Sequence, residues 1–314
     1  MRPSMALSQA VLLAALVSGC VRGGGVEAPP AAPGGGEPPA PAPAPAKPRP
    51  ELPLGGREIF PTYRLVGFCG TPNAPALGRL AGDLSAKAKV VHEYGEKYAY
   101  ERKALPIFEL IAVLVLGLPG ADGKYRRRVD DAVVDAYLKA AREAKAVLLL
   151  NIQPGRSDFM TEVQHFEKYL REPDVGVALD PEWAMKKGQK PGEFYGQTTG
   201  PVINEVGAYL AGLVAQGDLP EKVLVYHQFN RAVLKDEELL EPHPGVVVIK
   251  SVDGWGPKRA KIDTYYSLVK SLPAGVHVGF KLFFDEDISV PGSKLMKPDE
   301  VMALSPQPEY IMYE

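Results

Sequence analysis

Eight short apolar segments recur along this sequence from residue 63 onward, and most of them lead into polar residues. Continuous apolar runs of this length are typical of strands that are buried on both faces, as in parallel sheets covered by helices. We therefore predict eight β-strands. They span residues 64–70, 108–115, 146–153, 175–183, 222–229, 246–253, 277–285 and 309–313.

Helical patterns separate several of these strands. Residues 129–145 carry Val134 and Leu138 at the spacing of one helix face, which predicts an amphipathic helix. Similar periodicity predicts helices over 77–89, 159–170, 204–216 and 262–271. Asp158 and Asn204 stand where helix N-caps are expected.

The alternation of strands and helices over residues 57–314 predicts a (β/α)₈ TIM-like barrel, a fold of roughly 250 residues. An open, doubly wound α/β sheet is the alternative. That class carries a glycine-rich dinucleotide-binding turn after its first strand. The corresponding segment here is GFCGTPNAP (67–75), which lacks the pattern, so we favour the barrel.

The first 56 residues have a different composition. Residues 1–19 combine Arg2, an apolar stretch at 6–17 and small residues that lead to Cys20. The apolar stretch is too short to span a hydrocarbon core of ~30 Å and suits a signal peptide. The pattern resembles the bacterial lipobox, which implies cleavage before Cys20 and lipidation of that cysteine. An ordinary secretory signal with a chance cysteine is the alternative.

Residues 20–56 are predicted to be a disordered linker rich in Pro, Ala and Gly. Proline or glycine occupies 21 of the first 56 positions, and such sequences favour extended polyproline II rather than a packed core. We expect a monomer in the cell envelope, with a lipid on Cys20 holding the body outside the cytoplasmic membrane.

Charge and motif content argue against several function classes. The net charge of −2 gives no support to nucleic-acid binding through bulk charge. Two cysteines, Cys20 and Cys69, cannot form a disulfide scaffold. The five histidines form no H-x-H or H-E-x-x-H motif, and no P-loop or G-x-S-x-G elbow occurs. We therefore predict no metal and no cofactor.

Polar residues cluster where the predicted strands end, the side of this fold that carries active sites. Strand alternation places Asp180 and Glu182 on the face of the small residues Gly176 and Ala178, which suits a barrel interior. The same reasoning predicts that six further side chains point inward, namely those of Asn151, Gln153, Ser251, Asp253, Lys281 and Asp285. The register of the strand that ends in His227 and Gln228 stays open.

These strand-end groups predict a functional pocket, because buried polar groups are costly unless they are paired. Glu109, inside the second strand, could extend the network. The alternative is a structural plug of internal ion pairs, such as Lys281 with Asp180. Nearby acids should keep Lys281 charged, which argues against Schiff-base chemistry. Cys69 is expected to be a packed thiol rather than a nucleophile paired with His227.

The sharpest local motif is Leu179-Asp180-Pro181-Glu182-Trp183. Two close carboxylates push their pKa values apart, so one can stay protonated as the general acid that glycoside hydrolysis needs. We predict Glu182 as this acid and Asp180 as the group that tunes it. Asp253 or Asp285 would be nucleophile, base or stabiliser.

Further residues are predicted to bind a carbohydrate. The two tryptophans, Trp183 and Trp255, follow acids and suit the faces of sugar rings, although packing in the core or a loop is the alternative for each. The polar residues expected to orient sugar hydroxyls are Asn151, Gln153, His227, Gln228 and Lys281.

The Asp-x-Glu sequence at the end of the fourth strand resembles the chitinase-type glycoside hydrolases, whose motif is D-x-x-D-x-D-x-E. The resemblance implies that Glu182 is the general acid and Asp180 its orienting neighbour. Val175 and Ala178 occupy the earlier acid positions, and Val252-Asp253 stands where that family has Tyr-Asp. Substrate-assisted chitin chemistry is therefore not implied.

A broader resemblance is to a family of uncharacterised bacterial lipoproteins that is frequent in actinobacteria. It covers nearly all of 57–314, through LNIQPGRSDF (150–159), VGVALDPEW (175–183), LPEKVLVYHQF (219–229), VDGWG (252–256), GFKLFFDED (279–287) and PDEVMALSPQPEYIMYE (298–314). It implies a lipid-anchored barrel and assigns no activity.

Three functional hypotheses follow. The first is a surface-tethered glycosidase or related carbohydrate-active hydrolase. The second is a non-catalytic lipoprotein that binds a glycan or an envelope component. The third is a structural lipoprotein, for which every strand-end charge should be paired and the barrel mouth closed.

Overall fold

The computed structural model describes residues 48–314. The predicted signal peptide, the lipidation of Cys20 and the linker as far as residue 47 lie outside the described residues.

Eight parallel strands close into a barrel. They are β1 (Tyr63–Gly70), β2 (Lys103–Val115), β3 (Val147–Ile152), β4 (Val175–Leu179), β5 (Lys222–Gln228), β6 (Val246–Val252), β7 (His277–Leu282) and β8 (Tyr310–Tyr313). Each strand pairs with its neighbours in the chain, and β1 pairs with both β2 and β8, which closes the sheet. The predicted (β/α)₈ barrel is confirmed, and the open sheet is not formed.

Seven helices lie between the barrel strands of the described chain. They are α1 (Leu84–Glu96), α2 (Asp131–Glu143), α3 (Phe159–His165), α4 (Glu167–Leu170), α5 (Gly200–Gly217), α6 (Lys258–Val269) and α7 (Pro298–Met302). Residues 229–245, between β5 and β6, are all described and hold a short strand and one 3₁₀ turn at Glu237–Leu239 instead of an α-helix. A further short strand, Arg126–Arg128, pairs antiparallel with the end of β2.

Two of the predicted helix starts can be compared directly with the structure. Asp158 is confirmed as an N-cap, since its Oδ1 accepts a hydrogen bond from the backbone N of Thr161 at 2.7 Å. Asn204 is not an N-cap: α5 begins four residues earlier, at Gly200. Pro201 in the first turn favours that start, because its missing N–H has no partner there in any case. The Asn204 amide instead donates to the carbonyl O of Leu239 at 2.7 Å.

The barrel has an apolar layer on each side of the sheet. Inward-facing residues such as Leu65, Ile107 and Ile249 fill the interior, and a larger cluster packs the outer face against the helices. Gly67 of β1 sits in this interior, where a Cβ would lie 2.1 Å from the carbonyl O of Ile107. Only glycine allows β1 and β2 to approach so closely.

Residues 48–56 belong to the same compact unit as the barrel. Leu52 is buried with Ile59 in the interior cluster. Arg49 forms an ion pair with Asp218, and the Tyr63 hydroxyl donates to the carbonyl O of Gly55 at 2.7 Å. The compact unit therefore includes residues 48–56, which the sequence assigned to the linker.

Within residues 48–314, none of the helices combines the length and apolar character that crossing a membrane requires.

Candidate active site

A polar layer lies above the apolar interior, at the carboxyl ends of the strands. Each of the eight strands, or the residue just after it, contributes at least one member. The members are Cys69, Glu109, Asn151, Asp180, His227, Ser251, Asp253, Lys281 and Glu314. Strand alternation produces this arrangement, since Val223 and Val225 of β5 fill the interior and His227 therefore points the same way.

A cavity of about 290 Å³ opens at this end of the barrel. It is lined by Leu77, Val115, Gln153, Asp180, Glu182, Trp183, Tyr195, Phe229, Asp253, Trp255, Lys281, Phe283 and Glu314. Active sites of this fold lie at the same end, in the loops that follow the strands. The cavity is therefore the candidate active site.

Asp180 and Glu182 reach the cavity by a turn rather than along a strand. The sequence predicted a strand through residue 183, but β4 ends at Leu179 and Pro181–Trp183 forms a 3₁₀ turn. Pro181 has no N–H to continue the sheet, so the ladder ends before it. The backbone N of Asp180 still donates to the carbonyl O of Ile152 at 3.1 Å, which fixes Asp180 at the barrel end.

Glu182 carries an unpaired carboxyl atom. The residue is half-buried, but its Oε2 is buried and has no hydrogen-bond partner within residues 48–314. Burial, with the negative charges of Asp180 and Asp253, raises the pKa of the Glu182 carboxyl well above its usual range. A raised pKa favours the protonated form of this carboxyl, which is the form that a general acid uses.

Asp180 is held by two side-chain amides. Asn151 Nδ2 donates to its Oδ1 at 3.1 Å, and Gln153 Nε2 donates to its Oδ2 at 3.0 Å. Gln153 is fixed in turn, because its Oε1 accepts from the backbone N of Val115 at 3.1 Å. Burial raises the pKa of Asp180, while the charges of His227 and Lys281 oppose that rise. Two carboxyls with raised pKa values thus line one wall of the cavity.

His227 lies fully buried between two carboxylates. Its Nδ1 is 2.8 Å from Asp253 Oδ2, and its Nε2 is 3.2 Å from Glu109 Oε1 without hydrogen-bond geometry. Burial alone would lower the pKa of His227, but the charges of Asp253 and Glu109 raise it well above its usual value. The imidazolium and Lys281 hold the pKa of Asp253 below its usual range against the opposing effect of burial. The opposite pKa shifts favour the ionised form of Asp253 and the protonated form of Glu182 in the same cavity.

Lys281 forms ion pairs with two carboxylates. Its Nζ lies 2.6 Å from Glu314 Oε2 and 3.3 Å from Asp253 Oδ2. Burial would lower the Lys281 pKa, but these carboxylates raise it well above its usual value, so the amine stays protonated and is a poor nucleophile. The predicted pairing of Lys281 with Asp180 is replaced by the pairing with Asp253 and Glu314.

The structure brings most predicted site residues to the cavity or beneath it. Gln153, Asp180, Glu182, Trp183, Asp253, Trp255 and Lys281 line it. Asn151 and His227 are buried below the cavity. Asn151 is hydrogen-bonded to Asp180, and His227 is hydrogen-bonded to Asp253.

Asp285 does not join this group. The sequence predicted a strand as far as residue 285, but β7 ends at Leu282 and the chain turns away. Asp287 holds the turn: its carboxylate accepts from the backbone N of Phe283 at 3.0 Å and forms a buried ion pair with Lys261 at 3.0 Å. The Asp285 side chain is 84% exposed and lies 3.3 Å from Arg79.

Gln228 is also outside the cavity. Because His227 points into the barrel, its neighbour Gln228 points out, toward a separate space of about 150 Å³ bounded by Arg231, Glu237 and Ser271 among others. Its amide N and O are buried and lack partners among the described residues. Gln228 therefore does not line the main cavity, where it was expected to orient sugar hydroxyls.

Several site residues escaped the sequence analysis. Glu314 follows the four-residue strand β8, whose apolar run gave no sign of a charged neighbour in the site. The Tyr310 hydroxyl donates to Glu109 Oε2, and Asn151 Nδ2 donates to Glu109 Oε1 at 2.9 Å. Glu109 itself did not escape: it was predicted to extend the network, since a lone acid inside an apolar strand must find partners.

Cys69 is a buried thiol at the edge of this network. Its Sγ lies 3.3 Å from Glu314 Oε2, and burial together with the Glu314 charge raises the pKa of the thiol well above its usual value. A protonated thiol is a weak nucleophile. His227 is engaged with Asp253 rather than with Cys69.

The described residues hold no group of three or more His, Cys, Asp or Glu side chains arranged to bind a metal ion. Asp180 and Asp253 instead accept hydrogen bonds from, or form ion pairs with, Asn151, Gln153, His227 and Lys281.

No model of a known protein family matches this chain, and no curated protein matches it at a significant level. Support for a function of this chain therefore comes from its fold and from the geometry of the cavity.

Proposed function

We propose that this protein is a glycoside hydrolase, or a closely related carbohydrate-active hydrolase, with Glu182 as its general acid. The observation that carries the proposal is the unpaired, buried Oε2 of Glu182 in a cavity that also holds Asp253, which is ion-paired with His227 and Lys281. Glycoside hydrolysis requires one carboxyl that is protonated and a second group that meets developing positive charge.

In the proposed reaction, Glu182 donates its proton to the leaving-group oxygen as the glycosidic C–O bond breaks. Asp253 stabilises the oxocarbenium-like transition state, either as a nucleophile or as the base that activates water. Water supplies the hydroxyl that completes the product. If Asp253 is the nucleophile, Glu182 takes the proton of the attacking water as the covalent intermediate is hydrolysed; if Asp253 is the base, Asp253 takes that proton and releases it to solvent, from which Glu182 is reprotonated. Gln153 and Lys281 line the cavity and would orient sugar hydroxyls, while Asn151 and His227 act from below by positioning Asp180 and Asp253.

Two features weigh against the structural-plug hypothesis. The cavity is open rather than closed, and the Glu182 Oε2 atom has no partner within residues 48–314. A non-catalytic lipoprotein that binds a glycan or an envelope component is the alternative, since aromatic and polar lining suits sugar binding with or without turnover.

The experiment compares wild-type protein with Glu182→Gln on a panel of polysaccharides and oligosaccharides. We expect the variant to lose about 10²–10⁴-fold in turnover of any substrate the wild type cleaves, the usual contribution of a general acid. Asp285→Asn is the matched control, because that carboxylate is exposed and faces Arg79. Unchanged turnover in a correctly folded Glu182→Gln variant would rule out the assigned acid. Saturable binding with no product from the whole panel would favour the binding alternative.

We also propose that Cys20 is lipidated and tethers the barrel outside the cytoplasmic membrane. The support is the signal-like sequence 1–19, the Pro-rich linker and the resemblance to bacterial lipoproteins. The proposed partners are thus a membrane, through the lipid, and a carbohydrate, with the protein acting as a monomer and binding no nucleic acid.

A further inference from the structure

Three aromatic side chains from three different loops meet at the mouth of the cavity. Tyr195 precedes α5, Phe229 follows β5 and Trp255 follows β6, and all three line the cavity. The ring centroids of Tyr195 and Phe229 are 4.9 Å apart, and those of Phe229 and Trp255 are 5.1 Å apart. We call Tyr195, Phe229 and Trp255 the aromatic rim.

The aromatic rim leaves much of its surface in water. Tyr195 is 56% exposed and Trp255 is 47% exposed. Single exposed apolar side chains are common, but exposed apolar side chains that cluster beside a polar cavity mark a binding surface. The rim has the character of a stacking surface, since aromatic rings offer flat apolar faces with a polar edge on Tyr and Trp.

The charges of the cavity restrict what can lie against the rim. Among the cavity-lining residues of the range 48–314, four are acidic, namely Asp180, Glu182, Asp253 and Glu314, and Lys281 is the one cation. Lys281 is already engaged by Asp253 and Glu314. An anionic sugar would meet the carboxylates of Asp253 and Glu314 and find no free cation in the described part of the lining to pair with, whereas an uncharged sugar meets polar groups and aromatic faces.

The size of the cavity points to a second unit outside it. Its volume of about 290 Å³ is at the lower end of the range for small-molecule sites, roughly 300–1,000 Å³. A sugar beside Glu182 fills much of this space, so a longer chain has to leave through the mouth. The aromatic rim is the solvent-exposed part of the lining, so it lies where such a chain would leave the cavity.

We propose that the aromatic rim is an outer subsite, which stacks on the sugar unit next to the one held beside Glu182. The ligand is an uncharged glycan of two or more units. This inference rests on the proposed function, because it takes the cavity as the place where the first sugar binds.

Binding to the Glu182→Gln protein tests the subsite without turnover. The probes are neutral cello-, xylo-, manno- and chito-oligosaccharides of one to six units, with oligogalacturonides of equal length as anionic counterparts, measured by isothermal titration calorimetry. For at least one neutral series, we expect affinity to rise from one unit to the longer chains. Adding Trp255→Ala should reduce that affinity for the longer chains roughly five- to tenfold and leave the single unit unchanged. Oligogalacturonides should bind far more weakly.

Tyr266→Ala is the matched control, since Tyr266 is a 45% exposed aromatic on α6, outside the cavity lining. The subsite is refuted if no neutral series binds, if Trp255→Ala weakens the single unit as much as the chains or changes nothing, or if oligogalacturonides bind equally well. Length-dependent binding of a neutral glycan that the wild type never cleaves would leave the subsite standing and remove the hydrolase proposal. The two failures are therefore distinguishable.

Discussion

Replacing His227 with glutamine should both destabilise the barrel and change how its stability depends on pH. His227 is fully buried and lies within 3.2 Å of both Asp253 and Glu109. The His227→Gln substitution would leave these buried carboxylates without their shared cation, a change that typically costs about 3–5 kcal/mol of unfolding free energy. Glutamine is close in size to histidine, so the cavity term should be small.

The pH dependence follows from the raised pKa of His227 in the folded protein. Below its unfolded-state pKa of about 6.5, the imidazole is protonated in both states and its stabilisation is fully present. Above that pH, the folded protein retains the proton while the unfolded chain releases it. The stability due to His227 should therefore fall by about 1.4 kcal/mol for each pH unit, until the folded-state pKa is reached.

The assay is urea unfolding of wild type and His227→Gln between pH 6 and pH 9. Lys222, whose pKa burial lowers to about 8, titrates in both proteins, so the difference between the two unfolding free energies is the relevant quantity. We expect the loss of unfolding free energy caused by His227→Gln to be largest at pH 6 and to shrink as the pH rises. A difference that stays constant over this range would refute the protonated, ion-paired state of His227.

Two other predictions concern stability and location. Asp287→Asn should lower the unfolding free energy by about 3–5 kcal/mol in the same urea assay, because it leaves Lys261 buried without its counter-charge. Arg259→Ala, which removes an exposed ion pair, is the control and should change the unfolding free energy little. Equal losses in the two variants would contradict the role of burial. Cys20→Ser should move the protein from the membrane fraction to the soluble fraction and remove the lipid mass from its N-terminal peptide, and retention of the variant on membranes would contradict the proposed anchor.

The barrel was predictable because each strand is apolar on both faces and is bounded by turn residues. Because β5 is apolar on both faces, the sequence does not show which of its residues face inward. No polar residue alternates with the apolar ones over the run Val223, Leu224, Val225 and Tyr226. Only the closed sheet reveals that His227 points in and Gln228 points out.

The site was predictable where a polar residue directly follows an apolar strand, as at Asp180 and Asp253. It was not predictable where the backbone turns. Extending the β7 alternation to Asp285 failed because the Asp287–Lys261 ion pair redirects the chain after Leu282. Long-range partners such as Glu314 depend on barrel closure, which no local pattern encodes.

The most direct test of Glu182 as general acid compares two leaving groups on the same sugar. A dinitrophenyl leaving group departs without a proton, whereas a sugar leaving group needs one from Glu182. Glu182→Gln should therefore lose about 10²–10⁴-fold on the sugar leaving group and keep most of its rate of glycosidic bond cleavage on the dinitrophenyl glycoside. Equal losses on both substrates would contradict the role of Glu182 as proton donor.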